Sequence, residues 1–333
     1  MPFFVFSFLI GFFALLNPSL ANGFYELPVK NRPAVLTFDH LPLQDSACLS
    51  AVEKRKKILQ ALRAEKIEAA FFVVGQELFQ YPTGFTTLEK VSQAGHRIGN
   101  NSYSLPRLSQ MDVAHYIADV ENCNALIKTV SQYRSWFRYP YLDVGLEGAG
   151  SWDMKIKRSK EAAQKLVDRG YFHAYVSVDS DDSYLNTLLL NAIAEGHSID
   201  QGRLEEFYLE HLKRTIPLYT SLRTRAGQSS PFVFLFHANA DITALCLPKI
   251  IEMLREEGWN FMTPDAAFDV IKYPQAGFSS VVLEINALVP PLQKAKKEGI
   301  LPVIEQVRAS DPKAVTALFK QIVLGETPTN HGK

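Results

Sequence analysis

Seven short β-rich runs punctuate residues 34–263 of this 333-residue chain, most of them separated by longer helical stretches. They are Ala34–Asp39, Ala69–Gly75, His96–Ser102, Ser135–Pro140, Phe172–Asp179, Phe232–His237 and Trp259–Thr263. Runs as apolar as AVLTFD, AAFFVVG and FVFLFH suit strands covered on both faces. Helical periodicity fills Ala51–Lys66, where Val52, Ile58, Leu59 and Leu62 recur among charges, and also Met111–Val130, Ser159–Arg169 and Leu245–Glu257. Gly95, Gly170 and Gly258 follow helical stretches, where a left-handed closing residue is favoured. Such alternation predicts an α/β fold on a parallel sheet. A closed (β/α) barrel and an open doubly wound sheet both satisfy it.

Two segments depart from this rhythm. His197–Gln228 is a long excursion with a helical part around Leu204–Thr215. Past Tyr273 come apolar patches at Val281–Leu288, Ile300–Val307 and Ala314–Leu324, with Pro290-Pro291 between. They predict a small helical extension over 274–333, ending in a disordered tail from about Gly325. At the other end, Phe3–Leu16 is uncharged and apolar, and Ser19-Leu20-Ala21 offers a small-x-small cleavage site. The run is short for a membrane span, which needs about 20 apolar residues. The expectation is therefore a signal peptide over 1–21, although its start lacks Lys and Arg, and a secreted or periplasmic chain with no span after cleavage.

Charge narrows the partners. Lys+Arg and Asp+Glu each number 35, which argues against electrostatic binding to nucleic acid or an anionic membrane and suits a neutral partner such as an uncharged glycan. Cys48, Cys123 and Cys246 are too few and too scattered for a zinc framework or a disulfide scaffold. One bridge plus a free thiol, or three buried thiols, both fit.

The chemistry gathers at the strand ends. Asp39, Asn101, Arg138, Asp179 and His237 close five of the runs, at the edge where parallel α/β folds bind ligands. No nucleotide-binding glycine pattern follows the first run, which reads Thr37-Phe38-Asp39-His40-Leu41-Pro42. The third continues Gly99-Asn100-Asn101-Ser102-Tyr103-Ser104-Leu105-Pro106, and the fourth gives Phe137-Arg138-Tyr139-Pro140-Tyr141. The fifth ends Val178-Asp179-Ser180-Asp181-Asp182, and the sixth Phe236-His237-Ala238-Asn239.

In order and spacing these five segments resemble the NodB-homology polysaccharide deacetylases, the carbohydrate esterase family 4 type, over roughly 32–273. That resemblance implies a distorted parallel (β/α)7-type barrel over 30–273. It also implies hydrolysis of acetyl groups, amide or ester, on cell-wall or other glycans, with an acetylated oligo- or polysaccharide as partner. By position, Asp39 is the general base, Arg138 pairs with it, and the backbone N–H of Tyr141 faces the oxyanion. His237 is the acid, with Asp182 and Asp179 beside it. Asp179, Tyr139 and Tyr184 are assigned to substrate binding; Tyr184 follows Ser183, which stands where the family has Trp.

The three metal positions carry His40 in place of Asp, and Asn101 and Leu105 in place of two histidines. A catalytic zinc site ordinarily has three protein ligands and an open position. Leu105 offers no donor and Asn101 a weak one, so zinc is expected only in a rearranged site using His40 and Asn101. Loss of the metal removes a Lewis acid. Weakened or lost hydrolysis is then one expectation and a glycan-binding pseudoenzyme the other. Plainer roles stay open as well. Asp39 can cap the following element, His237 can be a buried structural histidine, and Arg138 can merely neutralise Asp39. The aspartates can form a solvated turn, His96 can be packing, and Tyr103, Trp136, Tyr139 and Tyr141 can be core.

Overall fold

A computed structural model describes residues 31–225, 230–269 and 311–326. The expected signal segment 1–21, the patches Val281–Leu288 and Ile300–Val307, and residues 327–333 of the tail lie outside the described residues. The strands are β1 (Arg32–Asp39), β2 (Ala70–Val73), β3 (Arg97–Asn100), β4 (Tyr133–Phe137), β5 (Phe172–His173), β6 (Val178–Asp179), β7 (Phe232–His237) and β8 (Trp259–Phe261). All pair in parallel, in the order β5-β4-β3-β2-β1-β7-β6, with β8 beside the start of β1.

The run Phe172–Asp179, read from sequence as one strand, divides in the structure. Its start pairs with β4 and its end with β7, at opposite ends of the sheet order. Ala174 N–H donates to Phe137 O, and Ser177 N–H to Val233 O. One short stretch of chain therefore spans both sheet margins. This resolves the choice left open by periodicity: the sheet curls into a distorted (β/α)7-type barrel.

Alternation along the strands sorts side chains into two layers. Ala34, Leu36 and Phe38 of β1, with Phe71, Phe234 and Phe236, join the main core under the helices. Val35, Ala70, Phe72, Trp136 and Val233 form a separate inner cluster, capped from below by Ala267 and Phe268 of helix Pro264–Asp269. By the same alternation the inward positions of β1 continue to Thr37 and Asp39. The β1–β7 register sets Asp39 against His237, so two sequence-distant polar groups share one level of one face.

Helix ends differ from the periodicity in instructive ways. Ala51–Ala64 opens with a capping box, Ser50 accepting from Glu53 N–H while the Glu53 carboxylate accepts from Ser50 N–H. Trp152–Val167 begins seven residues ahead of the expected Ser159, because Ser151 accepts from Met154 N–H and starts it there. Helix Asp182–Ala194 was missed: its first residue lies in an aspartate-rich stretch that reads as a turn. Gly84–Gln93 was missed as well, and the excursion is one helix over Gln201–Arg225. Gly95, Gly170 and Gly258 have φ of 91°, 77° and 84°, as a closing glycine requires.

Within the expected extension, Pro312–Ile322 is a helix whose Val315 and Phe319 are buried in the main core. Phe319 meets Phe207 edge-on at 5.2 Å. Cys48, Cys123 and Cys246 are all free thiols, the last two buried.

Candidate active site

β1 and β4 build the first half of the site. Arg138 is fully buried just beyond β4, its backbone N–H donating to Asn100 O of β3. Its guanidinium donates to Asp39 Oδ1 at 3.1 Å, to Thr37 Oγ1 at 3.0 Å and to Ala174 O at 2.6 Å. It lies 4.3 Å from the centre of the Phe72 ring, a face that attracts cations. Gly99 makes room for that ring, since a Cβ there would stand 2.6 Å from Phe72 Cε1. Burial works against the charge on Arg138, while Asp39 and then Asp179 favour it. Asp39 is thus a buried carboxylate held by a rigid cation, with Oδ2 free to face a ligand.

The second half is carried by β7 and the start of helix Asp182–Ala194. His237 Nδ1 meets Asp182 Oδ1 at 2.6 Å, and Asp182 Oδ2 accepts from His237 N–H and from the Thr243 hydroxyl. Burial alone would lower the pKa of His237. Asp182 first, then Asp39 and Asp179, outweigh it and push it up to about 9. At neutral pH His237 therefore keeps both ring protons, one held by Asp182 and the other at Nε2. Asp179 is itself pushed up, by burial and then by Asp181. Its Oδ1 accepts from Asp181 N–H.

The remaining sequence-derived residues are placed differently. Tyr139 is buried among Tyr116, Phe137 and His173. The Tyr184 hydroxyl binds Pro312 O and Thr316 Oγ1 of the C-terminal helix, away from the Asp39–His237 cluster. Tyr141 is exposed in a left-handed conformation, φ 57°, with the Arg107 guanidinium 4.2 Å over its ring. Such a backbone is costly for a non-glycine residue. Buried His96 accepts from Ala69 N–H and is held neutral, its pKa lowered to about 4 by burial.

The three positions that the resemblance assigns to a metal have separate partners. His40, also left-handed at φ 63°, directs Nδ1 to Glu77 Oε1 at 2.9 Å. Asn101 is buried, its N–H donating to Val73 O and its Oδ1 without a hydrogen-bond partner. Leu105 N–H donates to Ser102 Oγ, and its side chain is hydrocarbon. Among the described residues no three His, Cys, Asp or Glu side chains are grouped to hold a metal ion. A divalent metal would supply a Lewis acid and an activated water. One histidine, one amide oxygen and a leucine fall short of the three ligands such a site ordinarily has.

Three contacts were not legible beforehand. Glu77 sits on the helical turn Glu77–Gln80 after β2. His211, on the excursion helix, meets Asp181 Oδ2 through Nε2 at 3.0 Å and anchors the aspartate turn. Buried His173 lies near Arg138, its pKa lowered to about 3 by burial and then by that charge. Only proximity in three dimensions reveals them.

Residues 27–148 match the polysaccharide deacetylase family profile. That match takes in Asp39, His40, Asn101, Leu105, Arg138 and Tyr141. Over that segment the chain resembles the NodB-homology, carbohydrate esterase family 4 proteins. It is 30% identical over 122 residues to the peptidoglycan-N-acetylmuramic acid deacetylase PdaC of Bacillus subtilis, covering 34% of this chain and 26% of that protein. It is 27% identical over 126 residues to a peptidoglycan-N-acetylglucosamine deacetylase of Bacillus cereus, covering 38% and 42%. The matched region thus spans about a quarter to two fifths of these relatives' length. Among solved structures, that of B. subtilis PdaC gives a TM-score of 0.47 at 21% identity, covering 74% of this chain and 94% of that one. BA3943, a CE4 family pseudoenzyme from Bacillus anthracis, gives 0.47 at 17%, covering 73% and 67%. Asp182 and His237 lie past the end of the family match. Their place in the site rests on the geometry above.

Proposed function

We propose that this chain binds an acetylated cell-wall glycan outside the cytosol, in the cleft at the C-terminal ends of the barrel strands, with the family's metal-assisted deacetylation weakened or lost. The observation that carries this reading is the donor set at the positions matched to metal ligands: one histidine, His40, with Asn101 and Leu105 beside it. Two curated relatives that match the chain bear the names of peptidoglycan deacetylases, which supports a glycan as ligand. The polar groups left in the cleft suit a neutral sugar, with Asp39 accepting hydroxyl protons and His237 Nε2–H donating.

A second reading, residual deacetylation without a tightly held metal, is favoured by the intact acid and base. Asp39, held by Arg138, can orient a water and take its proton, and His237 Nε2 carries the proton a leaving amine needs. General acid–base catalysis alone contributes about 10²–10⁴-fold, small beside ordinary enzymatic accelerations. One experiment separates the readings: acetate release from N-acetylglucosamine oligomers beside calorimetric binding of the same oligomers in chelator. Binding with background acetate release supports the first. Acetate release that vanishes in Asp39→Asn and His237→Ala supports the second. Failure to bind any acetylated cell-wall glycan contradicts both.

A further inference from the structure

Helix Gln201–Arg225 packs Phe207, Tyr208 and Leu212 into the main core. On the same buried face stands an imidazole, His211, only 2% exposed. A hydrocarbon side chain would fill that place without the cost of burying a polar ring. What His211 meets is Asp181, Nε2 to Oδ2 at 3.0 Å, across 30 residues of sequence. Asp181 immediately precedes helix Asp182–Ala194, and its carbonyl accepts from Tyr184 N–H and Leu185 N–H. An aspartate in that place ordinarily has extended backbone and turns its carboxylate back onto the first N–H groups of the helix. Asp181 does neither: it is left-handed, φ 56° and ψ 12°, and its side chain makes no capping bond. Such a backbone is costly for a non-glycine residue and persists only where its surroundings impose it.

We propose that His211 is a positioning residue for the His237 side of the site: by taking the Asp181 carboxylate it withholds it from the helix and keeps Asp181 left-handed. The neighbouring aspartates depend on that turn. Asp182 Oδ2 accepts from His237 N–H at 2.6 Å and from the Thr243 hydroxyl, and Asp179 Oδ1 accepts from Asp181 N–H at 3.0 Å. Without His211, Asp181 has a cheaper state, the ordinary extended cap with its carboxylate on its own helix. That change would rotate the peptide leading into Asp182 and draw its carboxylate away from His237 N–H. His211 itself touches no ligand. Its effect on one passes through the aspartate turn and rests on the glycan-binding reading above.

The test follows backbone amides by NMR. His211→Leu fills the same space without a donor. It should move Asp181 out of the left-handed region, seen in its Cα shift and its amide–Hα coupling, and make the His237 amide exchange about tenfold faster. It should weaken binding of the N-acetylglucosamine tetramer by about two- to twelvefold, the worth of one hydrogen bond. Glycine takes the left-handed conformation unaided. His211→Leu combined with Asp181→Gly should therefore return the His237 amide to slow exchange, a rescue that a packing role for His211 does not give. Should His211→Leu fold poorly, Asp181, whose side chain is 22% exposed, is changed instead. Asp181→Ala should then speed the His237 exchange and Asp181→Gly leave it slow. An unchanged His237 amide in His211→Leu, or a double variant that exchanges as fast as His211→Leu, overturns the proposal whatever the change in Tm. A tetramer that fails to bind the starting protein overturns the glycan reading, and the amide exchange still decides the role of His211.

Discussion

The β1–β4–β7 side of the cleft and the β2–β3 side have had different fates. On the first, the ionisable groups are paired within the protein: Arg138 on Asp39, Asp182 on His237, Thr243 on Asp182. On the second, the positions that the resemblance assigns to a cation have separate partners. His40 goes to Glu77, Asn101 Oδ1 has no partner, and Leu105 has nothing to offer. The first set is stitched into the barrel, so losing one member leaves a buried charge exposed to a low dielectric. The second set makes fewer ties to the barrel: His40 meets Glu77 on the turn after β2, and Asn101 Oδ1 has no hydrogen-bond partner.

The contrast is broken most forcefully at Arg138. Arg138→Met should destabilise the protein by about 3–5 kcal/mol, because Asp39 is left buried and unpaired; urea unfolding measures it. Loss below about 1 kcal/mol would mean the pair is not structural.

Next comes His237. Its folded pKa of about 9 lies above the ordinary 6.5, so its contribution to stability is full below about pH 6.5 and is lost as pH rises through about 9. Asp179, raised as well, acts with the same sign at lower pH. The full His237 contribution is on the order of 3 kcal/mol. Asp182→Asn should flatten that slope and bring the His237 titration down, which NMR titration and pH-dependent unfolding would show.

The cation side is sharpened by restoring it. The combined His40→Asp, Asn101→His and Leu105→His variant should hold zinc through dialysis at least tenfold better than the starting protein. Equal retention would place the defect outside these three positions. The smallest effect belongs to Tyr184→Phe, which removes a hydroxyl bound to Pro312 O and Thr316. It should cost about 0.5–1.5 kcal/mol and leave glycan binding unchanged.

Much of this was legible in the chain. Apolar runs such as FVFLFH marked buried strands, and Asp39, Arg138 and His237 declared themselves by ending such runs. The division of Phe172–Asp179 was not legible, because it depends on the curvature of the whole sheet. Glu77 and His211 escaped for a similar reason: one sits on a four-residue turn, the other on a helix read as an excursion, and each matters only through a contact made by folding. Tyr139 and Tyr184, expected at the substrate because they lie beside motif residues, have neighbours that the motifs do not announce: the aromatic core for one and the C-terminal helix for the other.

The most direct trial of this account is elemental analysis of the purified protein after incubation with zinc and exhaustive dialysis. The donor set predicts far less than one zinc per chain. One tightly retained zinc per chain, released only by chelator, would contradict it.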